Sequence, residues 1–364
     1  MSNKTRNTKR LLLFVAVGLA LLVSAAAHKG WFTKPMPWQE ATGWDLLPED
    51  LRAPFTVGDA GVVDEPMIYW LGHSGFLIRW HEHTLLLDPN LSDTCTVVKR
   101  VLEKPVSPSD LGVVDVVLLS HAHYDHMDLP TLESLPGVDT LVFPVGNEVF
   151  LPETSWPNTV RVPMQRGETQ TIGPFEITAV RVEHNGGRYH PFTSRQQALG
   201  YVVTDGRRTL IYAGDTAVDN DWAAIRDAHH PDLAILPIGG YAPRIPLKIH
   251  HVSPEETVYV AEQLGVTTVV PCHFGTFALT MDKPWIALPK FAREANERGV
   301  RWLMPRLLEP GMLPPPKDAL IERTLQRGDR ATGGIASAPR NAGLTLRLPR
   351  HRRGADLQGY KEPS

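Results

Sequence analysis

Val113-Val114-Asp115-Val116-Val117-Leu118-Leu119-Ser120-His121-Ala122-His123-Tyr124-Asp125-His126 is the stretch that decides the fold. Its first five residues are β-branched and apolar apart from Asp115, the composition of a buried strand. Met127-Asp128-Leu129-Pro130-Thr131-Leu132 follows, where Asp128 can cap a short helix that carries Pro130 in its first turn. Three histidines and an aspartate are thus packed into six residues at a strand end. His121 and His123 can turn to one side and share a metal ion, and Asp125 and His126 can hold a second. Imidazole and carboxylate suit zinc, and other divalent transition metals are compatible with the same donors. A surface cluster of polar residues would need neither the strand before it nor further ligands after it.

The chain has 364 residues and a formal net charge of −3, enough length for a large core and too little charge for a nucleic-acid partner. Its 2 cysteines, Cys95 and Cys272, exclude a disulfide framework but leave one bond open. Residues 1–10 carry Lys4, Arg6, Lys9 and Arg10, and residues 11–27 are an unbroken apolar or small run. A cleaved signal peptide and an uncleaved N-terminal membrane anchor both fit residues 1–27. Either reading takes the rest of the chain across a membrane, to the periplasmic side in a bacterium. Residues 28–65, rich in Trp and Pro, read as an irregular arm. Residues 317–364 hold 10 Lys and Arg against 5 Asp and Glu, and the segment 311–364 is expected to be a disordered basic tail.

From Pro66 to about residue 310 the pattern is that of one folded domain. Residues 67–80 read as two strands joined across Gly72-His73-Ser74-Gly75, and a third strand ends at Leu87-Asp88-Pro89. His73 either faces a site or satisfies the turn. His81 and His83 sit in a hairpin turn and are expected to be exposed. Beyond the histidine-rich loop, short strands are expected at 139–144, 161–163 and 169–172, and a half-buried strand over 175–182 that ends at Glu183-His184. Residues 198–204 and 208–213 read as a hairpin across Asp205-Gly206, a type I′ signal, running into Gly214-Asp215-Thr216. A buried strand near 232–238 enters the loop Gly239-Gly240-Tyr241-Ala242-Pro243-Arg244. Ser253-Pro254-Glu255-Glu256 is a capping box whose helix should stop at Gly265. A last core strand ends at Cys272-His273, and residues 285–299 read as a closing amphipathic helix.

His121-Ala122-His123-Tyr124-Asp125-His126 resembles the H-x-H-x-D-H motif of the metallo-β-lactamase superfamily, and Gly72-His73-Ser74-Gly75 with Leu87-Asp88-Pro89 resembles its N-terminal strands. The resemblance implies an α/β fold, a four-layer αββα sandwich. It implies that His184 completes one ligand set with His121 and His123, that Asp125, His126 and His273 form a second, and that Asp215 bridges the two. Asp88 would then support the ligands from behind. Gly214 permits the close backbone approach that a bridging Asp215 needs. An aspartate capping a helix near Trp222 is the competing reading of Asp215.

Such a centre holds two Zn2+ roughly 3.5–4 Å apart and supplies hydroxide at neutral pH without a side-chain nucleophile. No serine or cysteine triad stands out, and Cys272 is expected to point away from the site. Residues 237–244, 251–256 and 273–277 resemble the branch of the superfamily that contains N-acyl-phosphatidylethanolamine-hydrolysing phospholipase D, with a related sub-branch resembling L-ascorbate-6-phosphate lactonase. The expectation is therefore a zinc-dependent phosphodiesterase of phospholipase D type acting at a membrane surface on a phospholipid or small phosphodiester. Asp125 and His251 are its expected catalytic residues, and His73, Arg188, Gly240 and Tyr241 its substrate contacts. A lactonase or β-lactamase-like hydrolase of a small substrate is the first alternative, and a non-catalytic metal-binding protein of the envelope the second.

Overall fold

The computed structural model describes residues 66–151, 156–188, 196–304 and 306–307. The expected signal peptide or anchor, the irregular arm and the basic tail lie outside the described residues. Among the described residues no helix is long and apolar enough to cross a membrane.

Two sheets carry the molecule. The first runs from β1 (Met67–Gly72), β2 (Gly75–Trp80) and β3 (His83–Leu87) to β6 (Val113–Leu118), β7 (Gly137–Pro144) and β8 (Val160–Met164), with β15 (Arg306–Leu307) beyond β1. A two-residue pair, β4 (Thr94–Cys95) and β5 (Val98–Lys99), stands apart from it. The second sheet is ordered β14 (Thr268–Cys272), β13 (Leu233–Pro237), β12 (Thr209–Tyr212), β11 (Gln197–Thr204), β10 (Phe175–Asn185) and β9 (Thr169–Ile172). The helices are α1 (Leu129–Glu133), α2 (Trp222–His229), the short α3 (Arg244–Leu247), α4 (Pro254–Leu264) and α5 (Ala287–Arg298).

The first sheet is apolar on both faces, and the period of two divides its residues between two cores. Ile68 and Trp70, Phe76 and Ile78, and Leu85 and Leu87 join the core shared with the second sheet, α4 and α5. Tyr69 and Leu71, Leu77 and Leu86 face the other way, into a smaller core with Leu132 of α1 and Val117. This is the expected mixed α/β sandwich of packed sheets and flanking helices. The outer face of the first sheet is covered by the short α1 and irregular segments, the outer face of the second by α4 and α5.

Directionality positions the site. β1 is antiparallel to β2 and β2 to β3, while β3 and β6 are parallel, so β1, β3 and β6 end at one rim of the first sheet. In the second sheet β10 and β12 share a direction through the intervening antiparallel β11, and β13 and β14 continue parallel. Ligands of open α/β sheets gather beyond such carboxyl ends. The two rims are stitched together there: Leu199 N–H donates to Ser120 O at 2.9 Å and Ala122 N–H to Gly186 O at 3.2 Å.

Most local expectations hold. Asp128 caps α1 through the Thr131 N–H, and α5 stops at Gly299 in the left-handed conformation. Three details differ. Between β11 and β12 the loop is four residues long, not the two of a type I′ turn, because Asp205 Oδ1 accepts from the Arg207 and Arg208 N–H groups at 2.8 and 2.7 Å and closes it. His81 and His83 are half-buried rather than exposed, since carboxylates hold them: His81 Nε2 lies 2.8 Å from Asp205 Oδ2, and His83 Nδ1 lies 3.4 Å from Asp115 Oδ1. Cys95 and Cys272 are both buried and free.

α4 opens with the capping box, Ser253 N–H donating to Glu256 Oε2 at 2.9 Å and Glu256 N–H to Ser253 Oγ at 3.3 Å. Ser253→Ala removes one of these bonds and is expected to cost about 1 kcal/mol of stability, read as a lower midpoint in urea at unchanged slope.

Candidate metal centre

Each chemistry-bearing side chain lies at or just past a strand end. His73 follows β1, Asp88 follows β3, His121 to His126 follow β6, His184 closes β10, Asp215 follows β12 and His273 follows β14. Gly214 lets two of these ends meet. Its φ is +60°, and a Cβ there would sit 2.6 Å from Ser120 Cβ. Further bonds tie the loops together: Glu183 N–H to Thr216 Oγ1 at 3.1 Å, Ala217 N–H to Glu183 O at 2.9 Å and Val252 N–H to Thr216 O at 2.8 Å.

The first ligand group is His121, His123, His184 and Asp215. His121 Nε2 is 2.9 Å from His123 Nδ1, and His184 Nε2 is 3.2 Å from the same nitrogen. The far side of two of these rings is already bonded. His121 Nδ1 donates to Ser120 Oγ at 2.9 Å, and His184 Nδ1 donates to His250 O at 2.9 Å. Their Nε2 lone pairs are therefore left facing inward, the orientation a metal ligand requires.

The second group is Asp125, His126 and His273, with His73 among them. His126 Nδ1 donates to Asp88 Oδ2 at 2.6 Å, which leaves its Nε2 toward Asp125 Oδ2 at 3.6 Å and Asp215 Oδ2 at 3.2 Å. His273 Nε2 lies 3.3 Å from Asp125 Oδ2 and 3.1 Å from Asp215 Oδ2. Asp215 Oδ2 thus stands between the two groups, within 4.0 Å of His121, His126, His184, His251 and His273.

The buried polar atoms of this region test whether a metal fits. His126 Nε2, both nitrogens of His273 and Asp215 Oδ1 are buried without a hydrogen-bond partner. Leaving several such groups unpaired would be costly in a folded interior. Cations placed among them satisfy the inward-facing lone pairs, and neutral imidazole with carboxylate is the donor set of Zn2+ or a similar ion. The residues fit a divalent metal centre.

Charge accounts for the proton affinities of the metal-free site. Burial keeps His121 and His184 well below their ordinary values, and it lowers His73 and His251 to about 4. Burial opposes charge on His126 and His273 too, but Asp215 and Asp125 outweigh it, lifting His126 well above its ordinary value and His273 to about 9. Burial likewise pushes Asp125 and Asp215 upward, and the facing imidazoles, His126 foremost, hold both carboxyls well below the usual range.

Asp88 stands behind the ligands as the resemblance implies. It is fully buried and accepts from Ser120 N–H at 2.7 Å, Tyr212 O–H at 2.6 Å, the Ser120 hydroxyl and His126. His251 borders the centre, its ring centroid 5.0 Å from His184 and 5.2 Å from His273, and Arg244 holds its carbonyl at 2.7 Å. Gly240, at φ +75°, passes so close that a Cβ would lie 2.9 Å from His273 Cε1 and 3.1 Å from His251 Nδ1. Tyr241 is half-buried under Lys290, and burial raises its phenol to about 12. Asp221 caps α2, so Asp215 is not the helix cap of the competing reading. Among the described residues no candidate ligand group includes a cysteine; Cys272 lies in the core, where burial raises its thiol.

Arg188 braces the histidine-rich loop. Expected to meet substrate, its guanidinium is buried and donates to Ala122 O at 3.0 Å and Met127 O at 2.8 Å, with Tyr124 stacked 4.1 Å away. A long cation can satisfy loop carbonyls that no strand pairs, and here it braces the loop that carries the ligands. Other supports carry no local signal in the sequence. Asp282 accepts from Gly240 N–H at 3.1 Å and Ala242 N–H at 3.0 Å, and Arg100 donates to Leu71 O at 2.6 Å.

Similarity to known proteins agrees with this geometry. A family model described as a β-lactamase superfamily domain matches residues 83–274. A metal-dependent hydrolase of Rubrobacter xylanophilus is 30% identical over 254 residues, covering 67% of this chain and 94% of that protein. An uncharacterised protein of Mycobacterium tuberculosis is 32% identical over 231 residues, so the match spans 60% of the chain and only 60% of that relative's length. The N-acyl-phosphatidylethanolamine-hydrolysing phospholipase D of Saccharomyces cerevisiae is 29% identical over 229 residues, 58% of this chain and 48% of that enzyme. Among solved structures, an isothiocyanate hydrolase from Delia radicum gut bacteria superposes with a TM-score of 0.52 at 17% identity, over 65% of this chain and 95% of that one, a likeness of fold.

Asp215→Ala removes the carboxylate that stands between the two ligand groups. Its metal affinity is expected to fall by at least about 100-fold, the upper end of what losing even a supporting partner costs. Elemental analysis after dialysis against a weak chelator measures this, with circular dichroism to confirm the fold.

Proposed function

The chain belongs to the β-lactamase superfamily and is a metal-dependent hydrolase; from that premise we propose that it is a phosphodiesterase of phospholipase D type, acting on glycerophospholipids at a membrane surface. The observation that carries the reading is the position of Asp215 Oδ2 between two imidazole groups, with His251 Nδ1 3.8 Å from that same oxygen. Two divalent cations bound there, zinc in this reading, would make a water molecule nucleophilic at neutral pH and offset the charge of a phosphoryl transition state.

The chain's own residues supply the rest. Asp125 and Asp215 keep their negative charge in a buried site, so the ligand set stays anionic toward cations across the neutral range. With burial lowering its pKa to about 4, His251 is a neutral ring at pH 7. It therefore acts as an N–H donor to a phosphoryl oxygen and not as a charged acid. Gly240 carries no Cβ beside His251 and His273, so a substrate group can approach both. Beside His73, Gly240 and His273 a small depression is lined by Phe277 and Leu279 together with the polar Thr280 and Asp282.

The yeast phospholipase D supports this choice among hydrolytic chemistries. The basic and apolar residues 1–27 support a membrane location, facing the periplasm in a bacterium. Carbonyl substrates such as lactones and β-lactams are the alternative that the same metal centre serves.

Full-length protein loaded with zinc and incubated with a mixed phospholipid panel that includes N-acyl-phosphatidylethanolamine is expected to yield phosphatidic acid by mass spectrometry, and Asp125→Ala is expected to yield none. An unchanged panel from protein that retains its metal would overturn the phospholipase reading and direct attention to lactones and β-lactams. His251→Ala is expected to retain its metal yet lose about 10²–10³-fold in turnover, the usual cost of one transition-state donor.

A further inference from the structure

We propose that His73 is itself a ligand of the second metal position, which then draws on His73, Asp125, His126 and His273 together with the shared Asp215. The proposal rests on the reading of the site as a metal centre and goes beyond it by adding a donor from the β1–β2 turn.

The donor atoms of His73, Asp125, His126 and His273 all lie within 4.8 Å of one another. That is close to the span of donors bound ~2.1 Å from a single ion, which reaches ~4.2 Å for an opposed pair. His73 Nε2 is 2.9 Å from Asp125 Oδ2, the same oxygen that His273 Nε2 approaches at 3.3 Å and His126 Nε2 at 3.6 Å. Three imidazole edges therefore surround one carboxylate oxygen. The His73 ring lies 4.2 Å from that of His273 and 5.7 Å from that of His126, centroid to centroid.

The turn makes no demand on an imidazole. His73 is held by its backbone: its N–H donates to Thr276 Oγ1 at 2.5 Å, and its carbonyl accepts from Trp70 Nε1 at 2.9 Å and from His273 N–H at 3.1 Å. Its φ is 53°, in the left-handed region that costs a side-chain-bearing residue strain. Glycine would satisfy the same turn without strain. The ring is instead almost completely buried, with its Nδ1 unpartnered, and its Nε2 is aimed at the carboxylate of the second ligand group. The bonds to Thr276 and His273 lock this turn to the loop after β14, so two ligands of one position come from segments that fix each other.

The second position then has one more protein ligand than the first, which rests on His121, His123, His184 and Asp215. The first ion is the one expected to exchange more readily.

The test uses the full chain labelled with 15N-histidine and loaded with 113Cd. Six imidazoles, those of His73, His121, His123, His126, His184 and His273, are expected to show coupling between cadmium and a ring nitrogen. The His73 ring is identified in the wild type by its proximity to Phe277, 5.6 Å between centroids. His73→Gln retains an N–H that can bond Asp125 but is a poor ligand; it is expected to lose one coupled imidazole and to release one ion at a lower chelator concentration than the wild type. A His73 ring uncoupled in the wild type, or a His73→Gln protein that holds both ions like the wild type, would overturn the proposal. Absence of any bound cadmium would instead overturn the metal-centre reading on which it rests.

Discussion

The buried carboxylate of Asp88 is the constraint on which the site depends. It has no solvent exposure, and a charge so placed is tolerable only when its lone pairs are filled. Its donors come from two parts of the chain: the backbone and hydroxyl of Ser120 with the His126 ring in the histidine-rich loop, and the phenol of Tyr212 at the end of β12. The Ser120 bonds fix the start of the histidine-rich loop, the His126 bond selects which nitrogen faces the metals, and the Tyr212 bond ties the first sheet to the second. One carboxylate thereby sets a loop's position, a ring's tautomer and the distance between sheets.

Around this anchor the architecture repeats one device. Strands of common direction end at a shared rim, and each end delivers one or more donors: His73, His121 and its neighbours, His184, Asp215 and His273. Strand ends are restrained by the ladder behind them, so donors mounted there need little further ordering, and the pairing becomes irregular only next to His73 and His184. Gly214 and Gly240 remove side chains where two ends must touch. Bonds such as Val252 to Thr216 and Met281 N–H to Ala242 O, at 2.8 and 2.9 Å, hold the loops that lack a ladder of their own.

The histidine-rich loop was legible because its meaning is local: an apolar β-branched strand, a dense run of ligands, and a capped helix within twenty residues. The capping box of α4 and the glycine stops of α4 and α5 were legible for the same reason. The hairpin between β11 and β12 was misread, because the Asp205-Gly206 pair favours a two-residue turn while the side chain of Asp205 closes a wider one and also receives Trp80 and His81 from another hairpin. The contacts of Arg188 were likewise not legible. It stands four residues after His184 in sequence, and its guanidinium donates to the carbonyls of Ala122 and Met127, about sixty residues away.

The sequence by itself determined the donor types, their order along the chain and the strands that carry them, since periodicity and motif spacing act over a few residues and survive without a partner. The tertiary structure alone decided which nitrogen of each imidazole faces inward, that His73 joins the second ligand group, and that Asp282, Tyr212 and Arg100 hold the surrounding loops. Those outcomes depend on pairings between residues far apart in sequence, where a hydrogen bond exists only once two sheets have packed and brought their strand ends to one rim.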